Sequence, residues 1–337
     1  MTTCYAAWNR NVEVLKESTS GGVFSALAEQ VLSASGIVVG AAYGDGLKVE
    51  HRVAHTQSEL AALRGVKYVY SEIGKTVWDE IAETLKTNRQ VLFVGTPCQA
   101  AGVRKRFGSP KNLLVCDLVC FGCPSQDFWL KYVAWEESRA GNRLTYISPR
   151  DKLYGWGRKT FYRYEWSDGN VTRECSRYNP YAHAFYTTLS FRPSCFCCPF
   201  RGVERVSDLT LCDMWNAGSL QFPASLLRGG VSGVMVHSEH GARAFESAAL
   251  DRREVPLEIF LEGNSPIVKS PNKPPHWNDF NVDSKAMPFD ALVRKYNLKR
   301  TRVQYVSQRI MYWIKRLVVS CMPLRLVNLV KDMLRHG

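Results

Sequence analysis

The 337-residue chain lacks any run of about 18 uninterrupted apolar residues, so the sequence offers no ordinary membrane span. Its start, Met1-Thr2-Thr3-Cys4-Tyr5, has no basic stretch leading into an apolar core, which argues against secretion and for a cytoplasmic protein. There is no internal repeat and no low-complexity tract. Hydrophobic residues at 45% and charged residues at 22% exclude long disorder. The seven histidines show no metal-ligand spacing. A complete ferredoxin cysteine run is also missing, so the chain is not a stand-alone ferredoxin.

The charge of +13 is unevenly placed. Arg294 to Gly337 holds eleven Lys or Arg against one acid, Asp332, whereas the remainder is nearly balanced at +3. A nucleic-acid reading of the whole chain therefore has little support. The segment Arg302 to Leu334 mixes Ile310, Trp313, Leu317 and Val318 with Arg309, Lys315 and Arg316. This pattern suits a basic amphipathic helical tail that meets an anionic membrane surface or a protein partner, peripheral at the inner face of the membrane, or one that packs on its own domain.

Alternating helical and strand patterns predict βαβ units. Ser18-Thr19-Ser20-Gly21-Gly22 opens a helix carrying Phe24, Leu27, Ala28, Val31 and Leu32 on one face. Ile37 to Tyr43, Val91 to Val94 and Leu113 to Val119 read as buried strands, the last two running into Gly95-Thr96-Pro97-Cys98 and Cys120-Phe121-Gly122-Cys123-Pro124 before further helices. Thr160 to Trp166 and Val171 to Cys175 flank Ser167-Asp168-Gly169-Asn170, a hairpin signal. Residues 263–288, rich in Pro, Asn and Lys, read as a loop or linker. The expected fold is α/β: a mixed, partly parallel sheet flanked by helices, with an additional antiparallel segment and a helical tail. The expected organisation is an N-terminal region over 5–75, a C-terminal region with the cysteines over 76–255, a linker and closing segment over 256–300, and the tail over 301–337.

Eleven cysteines in a reducing compartment are not a disulfide framework. Cys98 and Cys120 each follow a predicted parallel strand, so they share the sheet edge where open α/β sheets bind ligands. Each also precedes a helix whose dipole favours a thiolate. Cys195 and Cys198 form a Cys-x-x-Cys turn, and four thiolates suit tetrahedral zinc or an iron–sulfur cluster. Cys197 leaves that spacing ambiguous, and Cys116, Cys123 and Cys212 read as core thiols. The Ser20-Gly21-Gly22 turn fits either phosphate binding at a helix end or an ordinary cap. Lys67 with Tyr68 offers a cation and an aromatic face, or a solvated lysine beside a core tyrosine. Arg150-Asp151-Lys152 fits an anion site or a surface ion pair.

Eight motifs in order resemble the coenzyme F420 hydrogenase/dehydrogenase beta-subunit family, over about Tyr5 to Tyr296. They are Ser-Gly-Gly-Val-Phe-Ser-Ala-Leu (20–27), Gly-Ala-Ala-Tyr (40–43), Arg-Gly-Val-Lys-Tyr (64–68), Val-Leu-Phe-Val-Gly-Thr-Pro-Cys-Gln (91–99), Asp-Leu-Val-Cys-Phe-Gly-Cys-Pro-Ser (117–125), Arg-Asp-Lys (150–152), Arg-Pro-Ser-Cys-Phe-Cys-Cys (192–198) and Ser-Asp-Leu-Thr-Leu-Cys-Asp-Met-Trp (207–215). The resemblance implies a flavoprotein oxidoreductase with FAD and a 4Fe–4S cluster, passing electrons between an iron–sulfur donor and a two-electron carrier. It makes Cys98, Cys120, Cys195 and Cys198 the cluster ligands. It makes Ser20, Gly21, Gly22, Lys67, Tyr68 and Thr96 candidates for FAD contact.

Positions 65–71 read Gly-Val-Lys-Tyr-Val-Tyr-Ser where the family usually has Gly-Ser-Lys-Tyr-Val-Gln-Ser, and Phe121 replaces a usual histidine. Many relatives carry an N-terminal module with two ferredoxin-type clusters, whereas nineteen residues precede Ser20 here. A separate ferredoxin-type electron donor is therefore expected, with a small-molecule or deazaflavin substrate and a polysaccharide-biosynthesis setting. The alternative is a zinc- or cluster-stabilised accessory protein without redox activity.

Overall fold

The computed structural model describes residues 2–157 and 160–299; the tail expectation for 302–337 lies outside the described residues. Eleven strands form two sheets. They are β1 (Thr3–Asn9), β2 (Ile37–Tyr43), β3 (Val49–Ala54), β4 (Val91–Gly95), β5 (Leu113–Leu118), β6 (Leu144–Asp151), β7 (Phe161–Trp166), β8 (Val171–Cys175), β9 (Leu209–Asp213), β10 (Ser232–Val236) and β11 (Leu250–Glu254). The larger sheet has the order β11-β1-β10-β9-β5-β4-β2-β3 and the smaller one β6-β7-β8. β2, β4, β5 and β9 run parallel, with the flanking pairs antiparallel. This is the mixed α/β architecture expected, with its separate antiparallel sheet.

The parallel strands are largely apolar because both sheet faces are covered. Alternate residues go to opposite sides. Val38, Leu92, Val94, Leu114 and Leu209 join one core, packed under Val23, Ala26 and Leu27 of the helix Val23–Ser33 and Phe245 of the helix Glu239–Ser247. Val39, Val91, Phe93, Leu113 and Val115 join the other, with Val77 and Ile81 of Lys75–Lys86 and Ala100 and Val103 of Pro97–Phe107.

A third core is aromatic. Trp129 and Tyr132 of the helix Gln126–Ala140 meet Tyr162 and Tyr164 of the small sheet, with Tyr181 and Phe289. Asn179 sits within it, donating through Nδ2 to the Tyr132 and Tyr164 hydroxyls at 2.7 Å each. Its Oδ1 accepts from the Ala182 amide and caps the helix Pro180–Tyr186.

β1 lies between β10 and β11 in the large sheet. One reading of the sequence changes. Residues 263–288 are not simply a loop, since they contain the turn Ser265–Ile267 and the helix Trp277–Ala286. Ile267, Trp277 and Phe280 are buried and anchor the segment despite its polar composition. Among the described residues no helix is long and apolar enough to cross a membrane.

Candidate functional site

Parallel alignment brings the carboxyl ends of β2, β4, β5 and β9 to one edge of the sheet, together with the end of β1 and the start of β10. Cys98 lies in the first turn of the helix that follows β4. Its Sγ is 3.1 Å from the Thr96 hydroxyl, which donates to Gln99 Oε1. Gln99 in turn donates to the Ser71 carbonyl at 2.8 Å, tying this turn to the segment after Tyr68. Cys120 follows β5, and its Sγ stands 3.9 Å from that of Cys123.

A cavity of about 100 Å³ opens here, lined by Cys98, Cys120, Cys123, Cys195 and Cys198. The structure thus brings together all four cysteines singled out from the sequence, from three separated stretches of chain. Cys197 is exposed and outside the lining, which removes the ambiguity of the 195–198 turn. Cys116 is buried in the core as expected. Cys123 departs from its reading as a core thiol. Gly122 has φ +151°, and a Cβ there would stand 2.3 Å from the Phe191 ring. Only glycine lets the turn close on Phe191 and bring Cys123 round beside Cys120. The turn is held against the second cysteine turn by the Arg192 amide donating to the Cys123 carbonyl at 3.2 Å.

The cavity is positively charged. Arg192, Arg201 and Arg205 line it, and the buried Nε–H of each has no acceptor. Arg201 also donates to the Phe121 carbonyl at 3.1 Å, and Arg205 lies 3.8 Å from the buried Asp117. The hydrogen bond from Cys123 pulls the Cys120 thiol down to about 7, with Arg201 and Arg192 adding to it. The Cys123 proton is correspondingly held, so the pair releases one proton readily and the second with difficulty. Among the described residues no three His, Cys, Asp or Glu side chains converge closely enough to hold a metal ion. The thiols line the walls of the cavity instead.

The flavin candidates lie elsewhere on the same edge. Gly21 is required by packing: a Cβ would meet the Ala7 carbonyl oxygen at 2.4 Å. Its amide donates to Ser232 Oγ at 2.8 Å, and Ser20 Oγ donates to the Val231 carbonyl at 3.0 Å. Gly22, at φ +77°, begins the helix Val23–Ser33 without a side-chain cap, leaving the first helical amides without that partner. Lys67 Nζ donates to the carbonyls of Ala62, Leu63 and Arg64, closing the helix Gln57–Leu63. Tyr68 stacks on Phe185 at 4.4 Å. Thr96 is beside Cys98 rather than near the glycine turn.

Arg150-Asp151-Lys152 is an internal clamp and not a surface pair. Arg150 holds Asp213 through both terminal nitrogens, and Trp156 Nε1 donates to the same carboxylate at 2.9 Å. Lys152 donates to the carbonyls of Leu15, Ser20 and Gly229, fixing the glycine turn. The Val66 amide donates to Thr19 Oγ1 at 3.1 Å and joins that turn to the Lys67 turn. Burial pushes both ammoniums, Lys67 and Lys152, down to about 7. Tyr68, Phe121, Phe185 and Phe191 form an aromatic cluster packed with Cys195 of the cavity wall.

A thiol-lined cavity at the carboxyl edge of a mixed sheet defines an α/β protein whose chemistry is concentrated at one strand-end crevice. Two family models match the chain, both for the beta subunit of coenzyme F420 hydrogenase/dehydrogenase. The model of its N-terminal part matches residues 4–77, and the model of its C-terminal part matches residues 88–256. The chain belongs to the coenzyme F420 hydrogenase/dehydrogenase beta-subunit family, as its motifs indicate. It is 32% identical over 113 residues to the coenzyme F420 hydrogenase subunit beta of Methanococcus voltae. That match covers 32% of this chain and 39% of the relative, so it spans well under half of either. A chain of the F420-reducing NiFe hydrogenase complex from Methanosarcina barkeri shares the fold, with a TM-score of 0.50 at 19% identity, covering 78% of this chain and 89% of that one.

Proposed function

We propose that this protein is an iron–sulfur flavoprotein oxidoreductase that passes electrons between a ferredoxin-type donor and a two-electron carrier or small-molecule substrate. The observation that carries the reading is the cavity itself. Thiols from three separated stretches face one space backed by three guanidinium groups whose Nε–H bonds lack acceptors. Arg192, Arg201 and Arg205 would donate through these Nε–H groups to the sulfur ligands of an anionic cluster, which would balance the cationic wall. Cys98, Cys120, Cys195 and Cys198 would hold a 4Fe–4S cluster, and Thr96 orients Cys98. A bound cluster supplies one-electron steps and FAD couples them to two-electron chemistry.

The rest belongs to the protein. Arg192, Arg201 and Arg205 compensate charge and donate to sulfur. Phe121, Phe185 and Phe191 exclude water from the cavity wall. The uncapped helix start at Gly22 suits the diphosphate of FAD, with the turn before it held by Lys152. The names of the relatives make coenzyme F420 the first carrier to test. Assembly with other subunits and a polysaccharide-biosynthesis setting belong to the same proposal.

Anaerobic purification followed by absorption spectroscopy and metal analysis tests it. Flavin and cluster bands are expected. A colourless protein with stoichiometric zinc would instead support the accessory reading, which the 3.9 Å Cys120–Cys123 spacing favours, since it matches the edge of a zinc–thiolate tetrahedron of about 3.8 Å. Cys198→Ala should abolish iron binding, whereas Cys175→Ala, in β8, should leave it intact. Full iron content in both variants would overturn the ligand assignment.

A further inference from the structure

The cavity presents five thiols, one more than a four-iron cluster uses. We infer that Cys120 and Cys123 are alternative ligands to a single iron corner, each able to take the place of the other. The inference rests on the proposed cluster. Thiolates on different corners of a cubane radiate outward and stand well apart. Cys120 and Cys123 have sulfurs 3.9 Å apart on one tight turn, close enough for either to reach the same iron corner.

Both line the cavity, together with Cys98, Cys195 and Cys198. The remaining three thiols come from segments pinned independently: Cys98 by the Thr96 hydroxyl, and the 195–198 turn by the hydrogen bonds of its own 3-10 turn, Cys195 to Arg192 and Phe196 to Pro193. The 120–123 turn is held at Gly122 by the Phe191 ring and at the Cys123 carbonyl by the Arg192 amide, so both of its thiols are kept at the cavity wall. Exchange is chemically balanced: the iron–sulfur bond to Cys120 breaks as the bond to Cys123 forms, and the Cys123 proton passes to the released Cys120 sulfur. No oxidant or reductant is needed. When Cys120 is blocked by alkylation, Cys123 would take the corner and release its proton to solvent instead.

The test reconstitutes the full chain anaerobically with iron and sulfide. Iron content and the electron paramagnetic resonance spectrum of the reduced protein are read for wild type, Cys120→Ala, Cys123→Ala and the double variant. Each single variant should keep near wild-type iron with a shifted spectrum, and the double variant, with no thiolate left for that corner, should lose iron binding as Cys198→Ala does. If Cys120→Ala alone loses iron as fully as the double variant, Cys123 cannot substitute and the inference is overturned. Retention of all iron by the double variant overturns it as well.

A second measurement avoids substitutions. Brief alkylation of loaded wild type, followed by peptide mass analysis, should label the exposed Cys197 and place about one further label on the 120–123 turn, divided between Cys120 and Cys123. Label on Cys123 alone overturns the exchange while leaving the cluster reading standing. Wild type that takes up no iron defeats both, and is recognised because no variant then differs from it.

Discussion

At the scale of single residues the site depends on glycine and on charge. Gly122 admits no side chain, because the Phe191 ring occupies the space a Cβ would take. Gly122→Ala should destabilise the protein by about 1–3 kcal/mol in denaturant unfolding and reduce iron uptake on reconstitution. Lys67 and Lys152 give a pH signature. Both are pushed down to about 7 from 10.5, by burial first. The unfolded chain therefore binds these protons more tightly, and their contribution to stability rises with pH between about 7 and 10.5. Lys152→Met should flatten that rise in thermal midpoints measured from pH 6 to 10, and an unchanged profile would contradict it.

The cysteines at strand ends were legible in the sequence, since Cys98 and Cys120 each follow an apolar run with the length and composition of a buried strand. The position of Cys123 was not, although the Cys-x-x-Cys spacing of 120–123 was there to be read. Its role as a lining thiol follows from the close approach of Phe191, about seventy residues further along the chain. Of the three cavity arginines, Arg192 opens the quoted 192–198 motif, but nothing marks Arg201 or Arg205 in one dimension, because the property all three share is a donor left without an acceptor after folding.

At the scale of elements, the small sheet is held to the helix Gln126–Ala140 by Asn179. Asn179→Ala removes donors to two buried phenols and a helix cap together, and should cost about 2–4 kcal/mol in equilibrium unfolding. Glu136, on the same helix, is pushed up to about 7, by burial first. The folded state therefore favours its protonated form. This helps stability below pH 4.5, and the benefit is lost as pH rises towards 7. Glu136→Gln should flatten that slope, measured as thermal midpoints from pH 4 to 8. Strand identities in β2, β4 and β5 were readable because each is almost wholly apolar. β6 and the helix Trp277–Ala286 were less so, since their buried positions are scattered among polar ones.

For the whole molecule, the decisive feature is the interleaving of the two family regions, 4–77 and 88–256. β1 pairs with β10 and β11, and β2 pairs with β4, so neither family region can complete a sheet alone. A fragment ending at residue 77 should show no cooperative unfolding by circular dichroism. Co-expression with residues 78–337 should restore it. An independent melting transition in the first fragment would contradict this.

The same pairing has a cost during synthesis. Residues 3–9 leave the ribosome early, yet their hydrogen-bonding neighbours end at residue 254. At about 5–20 residues per second the nascent strand waits roughly 12–50 s with both edges bare. Translation speed and chaperone supply then govern how much of this protein reaches its native state.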